Sequence, residues 1–184
     1  EDAAQALGSK FKNKHAGTFG VASAISLYPA KILGCLGDGG AILTNDSDIY
    51  ERIMLLRDHG RDTKSGEVIS WGFNSRLDNI QAAFLNYFFS KYDEVILKRR
   101  HFAQLYHEGL KEVDEIYLPE PPNNGDHFDV FQNYEIQAKN RDNLREFLLK
   151  NGIGTLIQWG GKAIHQFKGI GMEKNLPVTD QIFS

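Results

Sequence analysis

The stretch ISLYPAKILGCLGDGGAILTND, residues 25–46, holds two apolar runs separated by a lysine and a glycine-rich segment. The runs AISLY, residues 24–28, and GGAILTN, residues 39–45, have the composition of strands. The Asp-Gly pair at the start of the second run is a turn signal, so we predict two strands joined by a connection with a tight hairpin turn at the GDGG run. Lys31 lies between the two predicted strands. The stretch therefore predicts a sheet with a single lysine beyond the end of one strand.

Two polar residues near the amino end, Asp2 and Gln5, form a set with Lys31 that suits carbonyl chemistry. A lysine amine can form an imine with an aldehyde, and a carboxylate can hold an aromatic ring nitrogen protonated so that the ring accepts electrons. A lysine after a strand is otherwise usually a solvated charge, and an isolated Asp often serves a turn or a helix cap. Taken alone, these residues leave a catalytic and a structural interpretation open.

Composition excludes several classes of protein. The chain has 184 residues, of which 41% are hydrophobic, and a formal charge of −3, without the basic, aromatic-interleaved block that a nucleic-acid groove requires. No run is long enough to cross a membrane, and the six histidines are not spaced as metal ligands. Cys35 is the one cysteine, and no export leader is visible, so we expect a cytoplasmic protein. Because both ends are abrupt, we also expect a piece of a longer chain.

Helical patterns follow the second predicted strand. Asp48 resembles the cap of a helix that ends before His59-Gly60, and residues 77–110 predict one long or once-broken helix. A turn-rich segment, residues 118–129, then marks the passage into a second unit.

The rest of the chain predicts a small α+β unit. NYEIQA, residues 133–138, alternates as a strand, residues 141–150 form a helical pattern closed by Asn-Gly, and GTLIQW, residues 154–159, has the composition of another strand.

Seven sequence blocks follow one another along the chain: EDAAQA, AISLYPAK, GDGGAILTND, LLRDHG, GFNSRLDNIQAA, the Arg99-Arg100 pair, and the GI of NGIGT followed by His165. In this order and at these spacings they resemble the DegT/DnrJ/EryC1/StrS family of sugar aminotransferases. Each block alone would be a weak signal, whereas the ordered set is specific. The resemblance covers almost the whole chain.

The resemblance implies an α/β protein of the pyridoxal-phosphate-dependent transferase fold type I, represented here by part of the large domain plus most of the small C-terminal α/β domain. Residues 1–92 would be the C-terminal part of the large, cofactor-binding domain, which has a mostly parallel sheet. Residues 93–184 would be an incomplete small domain, entered through a long helix. Members of the family form homodimers with active sites at the interface.

Site residues follow from the same resemblance. It implies pyridoxal 5'-phosphate bound covalently to Lys31 as an internal aldimine, with Asp2 paired to the pyridine nitrogen, so that both residues are catalytic. Gln5 would contact the ring oxygen and Ser26 the phosphate. Asn74 would reach the phosphate of the neighbouring subunit's cofactor.

The implied activity is transfer of an amino group, from glutamate, to a keto group on a nucleotide-linked sugar, for cell-surface polysaccharide or secondary-metabolite sugar biosynthesis. His165 would line the substrate cleft. The YPAK and GDGG segments favour enzymes that act at the sugar 3-position, and a 4-keto sugar remains open as the substrate. Two alternatives remain: a sugar dehydratase of the same fold, which uses the pyridoxal or pyridoxamine form and has His where Lys31 stands, and a non-catalytic dimerisation or regulatory fragment.

Overall fold

The computed structural model describes residues 1–123, 125–172 and 174–183. The chain divides into a first unit, Glu1–Gly109 with Glu120–Tyr134, and a second unit, Leu110–Pro119 with Glu135–Ser184. This division keeps most of the long helix after residue 92 in the first unit, whereas the sequence assigns that helix to a small domain of residues 93–184. The assignment of the two family domains to residues 1–92 and 93–184 stays a prediction.

The strands and helices are mostly short. In chain order the strands are β1 (Lys10–Phe11), β2 (Lys14–His15), β3 (Ala22–Ser26), β4 (Gly40–Thr44), β5 (Ile116–Tyr117), β6 (His127–Phe128) and β7 (Gln137–Ala138). The α-helices are α1 (Ser47–Arg57), α2 (Asn79–Phe89), α3 (Tyr92–Leu110), α4 (Arg141–Lys150) and α5 (Pro177–Phe183). Short 3-10 helices cover Gln158–Gly161, Ile164–Gln166 and Lys168–Ile170. Among the described residues, no helix has the length and apolar character needed to cross a membrane.

Strands β3 and β4 organise the first unit. They pair antiparallel, with Ser26 opposite Gly40, which confirms both predicted strands. The connection runs through residues 27–39 and carries Lys31, as predicted, whereas the tight turn predicted at the GDGG run is wrong, because β4 already begins at Gly40. It folds back along β3, since the Cys35 N–H donates to the Leu27 carbonyl over 2.7 Å. The glycine-rich run is thus the approach to β4 and not a two-residue turn.

Beside β3 on its other edge lies the amino-terminal segment. Asp2 forms a parallel bridge with Ala24. A separate antiparallel sheet in the same unit has the order β2-β1-β6, and a two-stranded antiparallel sheet, β5-β7, lies in the second unit. The parallel neighbour of β3 therefore brings Asp2 next to the strand that leads to Lys31.

Three sequence-based assignments of helices need comment. Helix α1 is capped by Asp46, whose carboxylate accepts the N–H groups of Asp48 and Ile49, so Asp48 is not the cap. The helical pattern of residues 77–110 is broken once, between α2 and α3, where the Ser90 hydroxyl donates to the Tyr87 carbonyl over 2.7 Å. Helix α4 is confirmed with the predicted bounds.

The predicted strand of residues 154–159 is wrong. These residues pair with no strand in the described part of the chain, and Trp159, Gly160 and Gly161 all have positive φ angles, 52°, 65° and 74°. Left-handed residues in succession turn the backbone and cannot continue a β-ladder. The strand predicted for residues 133–138 is confirmed only over its last two residues, which form β7.

One hydrophobic core supports the first unit. Its buried members are Ala3, Ile25, Leu27, Leu33, Cys35, Leu85, Tyr92, Ile96 and Val130. They come from the amino-terminal segment, β3, the Lys31 connection, both long helices and the return segment before residue 134. Side chains in a protein interior are close-packed. The burial of Leu33 and Cys35 in this core therefore fixes the position of the connection that carries Lys31.

Candidate active site

Lys31 lies in a tight bend just beyond β3. Its backbone N–H donates to the Tyr28 carbonyl over 2.8 Å, and the buried side chains of Leu33 and Cys35 follow directly. The Lys31 side chain is half-buried. Among the described residues, none forms a hydrogen bond or an ion pair with its Nζ. A hydrogen bond holds the Lys31 backbone, whereas no described residue binds its Nζ. A nucleophilic lysine needs an amine that is available in this way.

Asp2 lies on the sheet face next to this bend. The Ala24 N–H donates to the Glu1 carbonyl and the Ala3 N–H to the Ala24 carbonyl, each over 3.0 Å, which fixes the register of the parallel bridge. Ala24 is exposed, whereas its neighbours in β3, Ser23 and Ile25, are buried. Because paired residues share a face and alternate along a strand, Asp2 and Ser26 lie on the same, exposed face as Ala24.

The Asp2 carboxylate keeps acceptor capacity for a ligand. Its Oδ1 accepts the Ala4 N–H over 3.0 Å, which orients the group, and its side chain is exposed. The Ser26 Oγ accepts the Tyr28 N–H over 3.4 Å, so that its own hydroxyl proton remains available to a phosphate oxygen. The structure thus places Asp2 and Ser26 on one face at β3, and the Lys31 bend follows the end of that strand.

Glu1, next to Asp2 in the chain, makes contacts that sequence reasoning missed. Its carboxylate accepts the backbone N–H groups of Gly17, Phe19 and Gly20 over 2.7, 2.8 and 3.0 Å. These donors, that of Gly17 first and then that of Gly20, hold the pKa of the Glu1 carboxyl below its usual value of 4.5. The residue beside Asp2 is therefore anchored to the loop that enters β3.

The segment Phe131–Asn133 contributes two further contacts that the sequence did not reveal. The Gln132 side-chain amide bonds to the backbone on both sides of Lys31: its Oε1 accepts the Ile32 N–H over 3.0 Å and its Nε2 donates to the Ala30 carbonyl over 2.9 Å. The adjacent Asn133 Nδ2 donates to the Gln5 Oε1 over 3.3 Å. Gln132 and Asn133 are 100 residues or more away in sequence from the residues that they contact, and no local pattern signals such contacts.

Asn74 is positioned apart from these groups. It forms an antiparallel bridge with Asp58, and its exposed side chain accepts a hydrogen bond from Arg76 Nε over 3.2 Å. No hydrogen bond joins it to Asp2, Ser26 or Lys31 within the described residues.

His165 belongs to the second unit and is held within that unit. Its ring is 8% exposed, and its Nε2 lies 2.8 Å from Asp180 Oδ1, which also accepts the Gln166 Nε2 over 2.7 Å. The hydrogen bond with His165 is the main cause that lowers the pKa of the Asp180 carboxyl, followed by that with Gln166. The His165 Nδ1 is buried without a partner among the described residues.

The donor set of the first unit fits pyridoxal phosphate. An aldehyde carbon requires a free amine, a pyridine nitrogen requires a carboxylate, and a phosphate requires hydroxyl and N–H donors. Lys31 Nζ, the Asp2 carboxylate and the Ser26 hydroxyl supply one of each. In the described residues, no group of three or more histidine, cysteine, aspartate or glutamate side chains is arranged to hold a metal ion.

Comparison with known proteins shows the family of the chain. The model of the DegT/DnrJ/EryC1/StrS aminotransferase family matches residues 1–184. A "pleiotropic regulatory protein" of Geobacillus stearothermophilus is 39% identical over 86% of this chain and 42% of its own length. The dTDP-3-amino-3,4,6-trideoxy-alpha-D-glucose transaminase of Streptomyces venezuelae is 37% identical over 86% of this chain and 41% of its own length.

A solved structure also covers the chain. The crystal structure of S. venezuelae DesV in complex with a ketimine intermediate superposes with a TM-score of 0.88 at 32% identity, over 98% of this chain and 48% of that one. The chain thus spans less than half the length of these three relatives. The expected fold, the PLP-dependent transferase fold type I, is confirmed over the part of it that the chain represents. On these grounds the chain belongs to the DegT/DnrJ/EryC1/StrS aminotransferase family.

Proposed function

We propose that the protein is a pyridoxal-phosphate-dependent aminotransferase that moves an amino group from glutamate to the keto group of a nucleotide-linked sugar in the cytoplasm. The observation that carries the proposal is the half-buried Lys31, whose Nζ has no partner among the described residues, in the bend that follows β3. Ser26 belongs to that strand and Asp2 bridges to it. The name of the S. venezuelae transaminase supports a nucleotide sugar as the acceptor.

In this proposal Lys31 has two tasks. Its Nζ binds the cofactor covalently, and once displaced by the amino donor it carries a proton between the donor carbon and the cofactor. The bound cofactor supplies the electron sink that allows a C–H bond next to nitrogen to break.

The other residues bind and orient. The Asp2 carboxylate holds a proton on the ring nitrogen, and the Ser26 hydroxyl donates to the phosphate. Gln5, whose Oε1 is oriented by Asn133, contacts the ring oxygen through its remaining amide group. We assign His165 to the substrate cleft on the family resemblance alone.

The proposed enzyme is a homodimer in which Asn74 serves the neighbouring subunit's cofactor. Large apolar side chains near Asn74 are exposed in the single chain, with Trp71 at 96% and Phe73 at 69%. Apolar surface of this kind is typical of an interface. Co-expression of Lys31→Ala and Asn74→Ala chains tests this, because the mixed dimer would contain one intact site. Activity no greater than the mean of the two parent dimers would contradict it.

A single-turnover half-reaction tests the activity itself. The complete protein, loaded with pyridoxal phosphate and mixed with L-glutamate alone, should form one equivalent of 2-oxoglutarate per site, and a nucleotide-linked 3-keto sugar should then be aminated. A deoxy sugar product in place of an amino sugar would favour the dehydratase. The absence of any half-reaction with glutamate or other amino acids would favour the non-catalytic, regulatory interpretation, which the name of the Geobacillus relative also favours.

The role of Asp2 is tested in the same assay. Asp2→Asn should still bind the cofactor and should slow the half-reaction by about two to three orders of magnitude, since charge stabilisation by one group is worth about that much. Asp48→Asn, an exposed carboxylate in the first turn of α1, is the matched control and should react normally.

A further inference from the structure

Gln132 reaches the backbone on both sides of Lys31. Its side chain accepts the Ile32 N–H at 3.0 Å and donates to the Ala30 carbonyl at 2.9 Å. A primary amide has a donor and an acceptor on one rigid plane, so the two bonds restrain the two peptide groups relative to each other. Lys31 is the residue between those peptide groups. The pair of bonds therefore restrains the direction in which its Cα–Cβ bond points.

The backbone from which Gln132 extends is itself fixed. Arg99 Nη1 donates to the Phe131 and Gln132 carbonyls over 3.1 and 2.9 Å. Phe131 is buried with a φ of 50°, and Val130 is completely buried in the core. A residue other than glycine keeps a left-handed conformation only where its surroundings impose it. The amide of Gln132 is thus presented from a rigid, core-anchored segment and not from a free loop.

Among the residues that the structure describes, no other side chain holds the Lys31 bend in this way. The remaining hydrogen bonds that the structure shows in residues 28–32 are local: Lys31 N–H to the Tyr28 carbonyl, and Tyr28 N–H to Ser26. Local bonds shape the bend but do not tie it to the rest of the unit. Gln132 supplies that connection across a sequence separation of 100 residues or more.

We propose that Gln132 is a positioning residue for Lys31, which holds the lysine backbone so that Nζ meets the cofactor aldehyde in reactive geometry. The inference rests on the proposed function, because it takes Lys31 as the lysine that binds the cofactor. A nucleophile displaced by about 1 Å can lose as much as a hundredfold in rate. Loss of the Gln132 amide should therefore slow reaction at Lys31 more than it weakens binding of the cofactor.

The chain offers a matched control for this residue. Gln81, on α2, also accepts a backbone N–H from the connection between β3 and β4, that of Leu36 over 2.8 Å. It makes its bond five residues after Lys31 and does not flank it. Substitution of either glutamine by methionine removes the amide and keeps the approximate length of the side chain. A purely structural contribution to the connection should be similar in the two variants.

Two ligands separate positioning from pocket integrity in the complete protein. Pyridoxal phosphate reacts with Lys31, whereas 4'-deoxypyridoxine phosphate has the same ring and phosphate but no aldehyde and can only bind. For Gln132→Met we expect the rate of covalent incorporation at Lys31, followed by absorbance, to fall by at least about tenfold. The affinity for the deoxy analogue, measured by calorimetry, should change less than about twofold. Gln81→Met should leave both quantities near the wild-type values.

A second variant keeps the test valid if Gln132→Met does not fold. Gln132→Asn keeps the amide but is one methylene shorter, so it cannot span the Ile32 N–H and the Ala30 carbonyl together, and it should show the same selective loss. An equal loss of deoxy-analogue affinity and incorporation rate, or wild-type incorporation in either variant, would overturn the role of Gln132. Wild-type protein that incorporates no cofactor at Lys31 would instead overturn the proposed function, and the positioning role with it.

Discussion

The two units of the chain hold their candidate site residues by different means. In the first unit, the Lys31 connection rests on a core of buried side chains and is tied to residues far away in sequence, such as Gln132. In the second unit, the buried residues among those described are only Ala163 and His165, and His165 is held by Asp180, fifteen positions away. The proposed cofactor lysine therefore depends on packing, whereas His165 depends on a hydrogen bond with one partly exposed carboxylate.

The largest expected effect is on packing in the first unit. Ile96, on α3, is 6% exposed within the core, and Ile96→Ala should lower the free energy of unfolding by about 2–5 kcal/mol through lost burial and an unfilled cavity. The control Leu97→Ala changes the next residue on the same helix, which is 65% exposed. Urea unfolding of the complete protein measures both. Equal losses in the two variants would contradict the position of the core.

A smaller effect is expected where the backbone passes close to itself beside Lys31. A Cβ on Gly34 would lie 2.7 Å from the Pro29 carbonyl oxygen and 2.8 Å from that of Tyr28. Gly34→Ala should therefore displace the bend, lower stability by about 1–3 kcal/mol and reduce cofactor incorporation. Gly109→Ala, in helix α3 with open space around it, should be neutral or slightly stabilising. Normal incorporation in Gly34→Ala would show that the bend tolerates displacement.

Tyr92 provides a test of the first unit that depends on pH. Its hydroxyl donates to the Leu7 carbonyl, and burial first, then the nearby Asp93, raises the pKa of Tyr92 to about 12. The folded state therefore favours the neutral phenol. Its contribution to stability is complete below the unfolded pKa of about 10 and is lost as the pH rises through about 12.

Removal of the hydroxyl should reveal this contribution. Tyr92→Phe should cost about 1 kcal/mol at pH 8, and the difference from wild type should shrink between pH 10 and pH 12. The exposed Tyr50→Phe is the control and should differ little from wild type over the whole range. Chemical unfolding at pH 8, 10 and 11.5 measures these differences. A difference that does not depend on pH would mean that the Tyr92 hydroxyl is not buried.

The smallest expected effect lies in the second unit. The pKa of Asp180 is lowered below its usual value of 3.8, first by the hydrogen bond with His165 and then by that with Gln166. The stabilisation is present above pH 3.8 and is lost as the pH falls through the lowered pKa. Proteolysis of residues 163–183 by pepsin should accelerate between pH 4 and pH 2 in wild type.

In Asp180→Asn this acceleration should be absent, because the variant lacks the titrating carboxylate and is susceptible throughout that range. Asp114→Asn, at an exposed position in the same unit, should behave like wild type. Wild-type behaviour of Asp180→Asn would show that His165 is held by something other than this carboxylate.

Local patterns predicted the parts of the fold that local forces determine. Helix α4 has the predicted bounds because its periodicity and its terminal Asn151-Gly152 agree. The sequence predicts the cap of α1 two residues too late, because the run Asp46-Ser47-Asp48 offers three candidate caps. In the structure the backbone angles of Asp46 suit a cap, and the helix begins at Ser47. Here the sequence predicts the helix but not its first residue.

The features that the sequence does not predict depend on contacts with residues distant in sequence, or on the lack of a neighbouring strand among the described residues. Residues 154–159 have the composition of a strand but find no neighbouring strand within the described part of the chain, and Trp159 turns the backbone. The family motifs predicted Asp2 and Ser26 beside Lys31, and the structure places them along β3. The contacts of Gln132 and Glu1 could not be predicted, because they join segments whose proximity exists only after folding.

We propose that Lys31, which is fixed in the connection between β3 and β4, is the lysine that binds the cofactor. Borohydride reduction of the complete, cofactor-loaded protein makes that bond permanent, and peptide mapping by mass spectrometry then locates it. We predict one pyridoxyl group per chain, on the peptide that contains Lys31. A label on Lys10, Lys12 or Lys14, or no label in protein that demonstrably holds the cofactor, would contradict the claim.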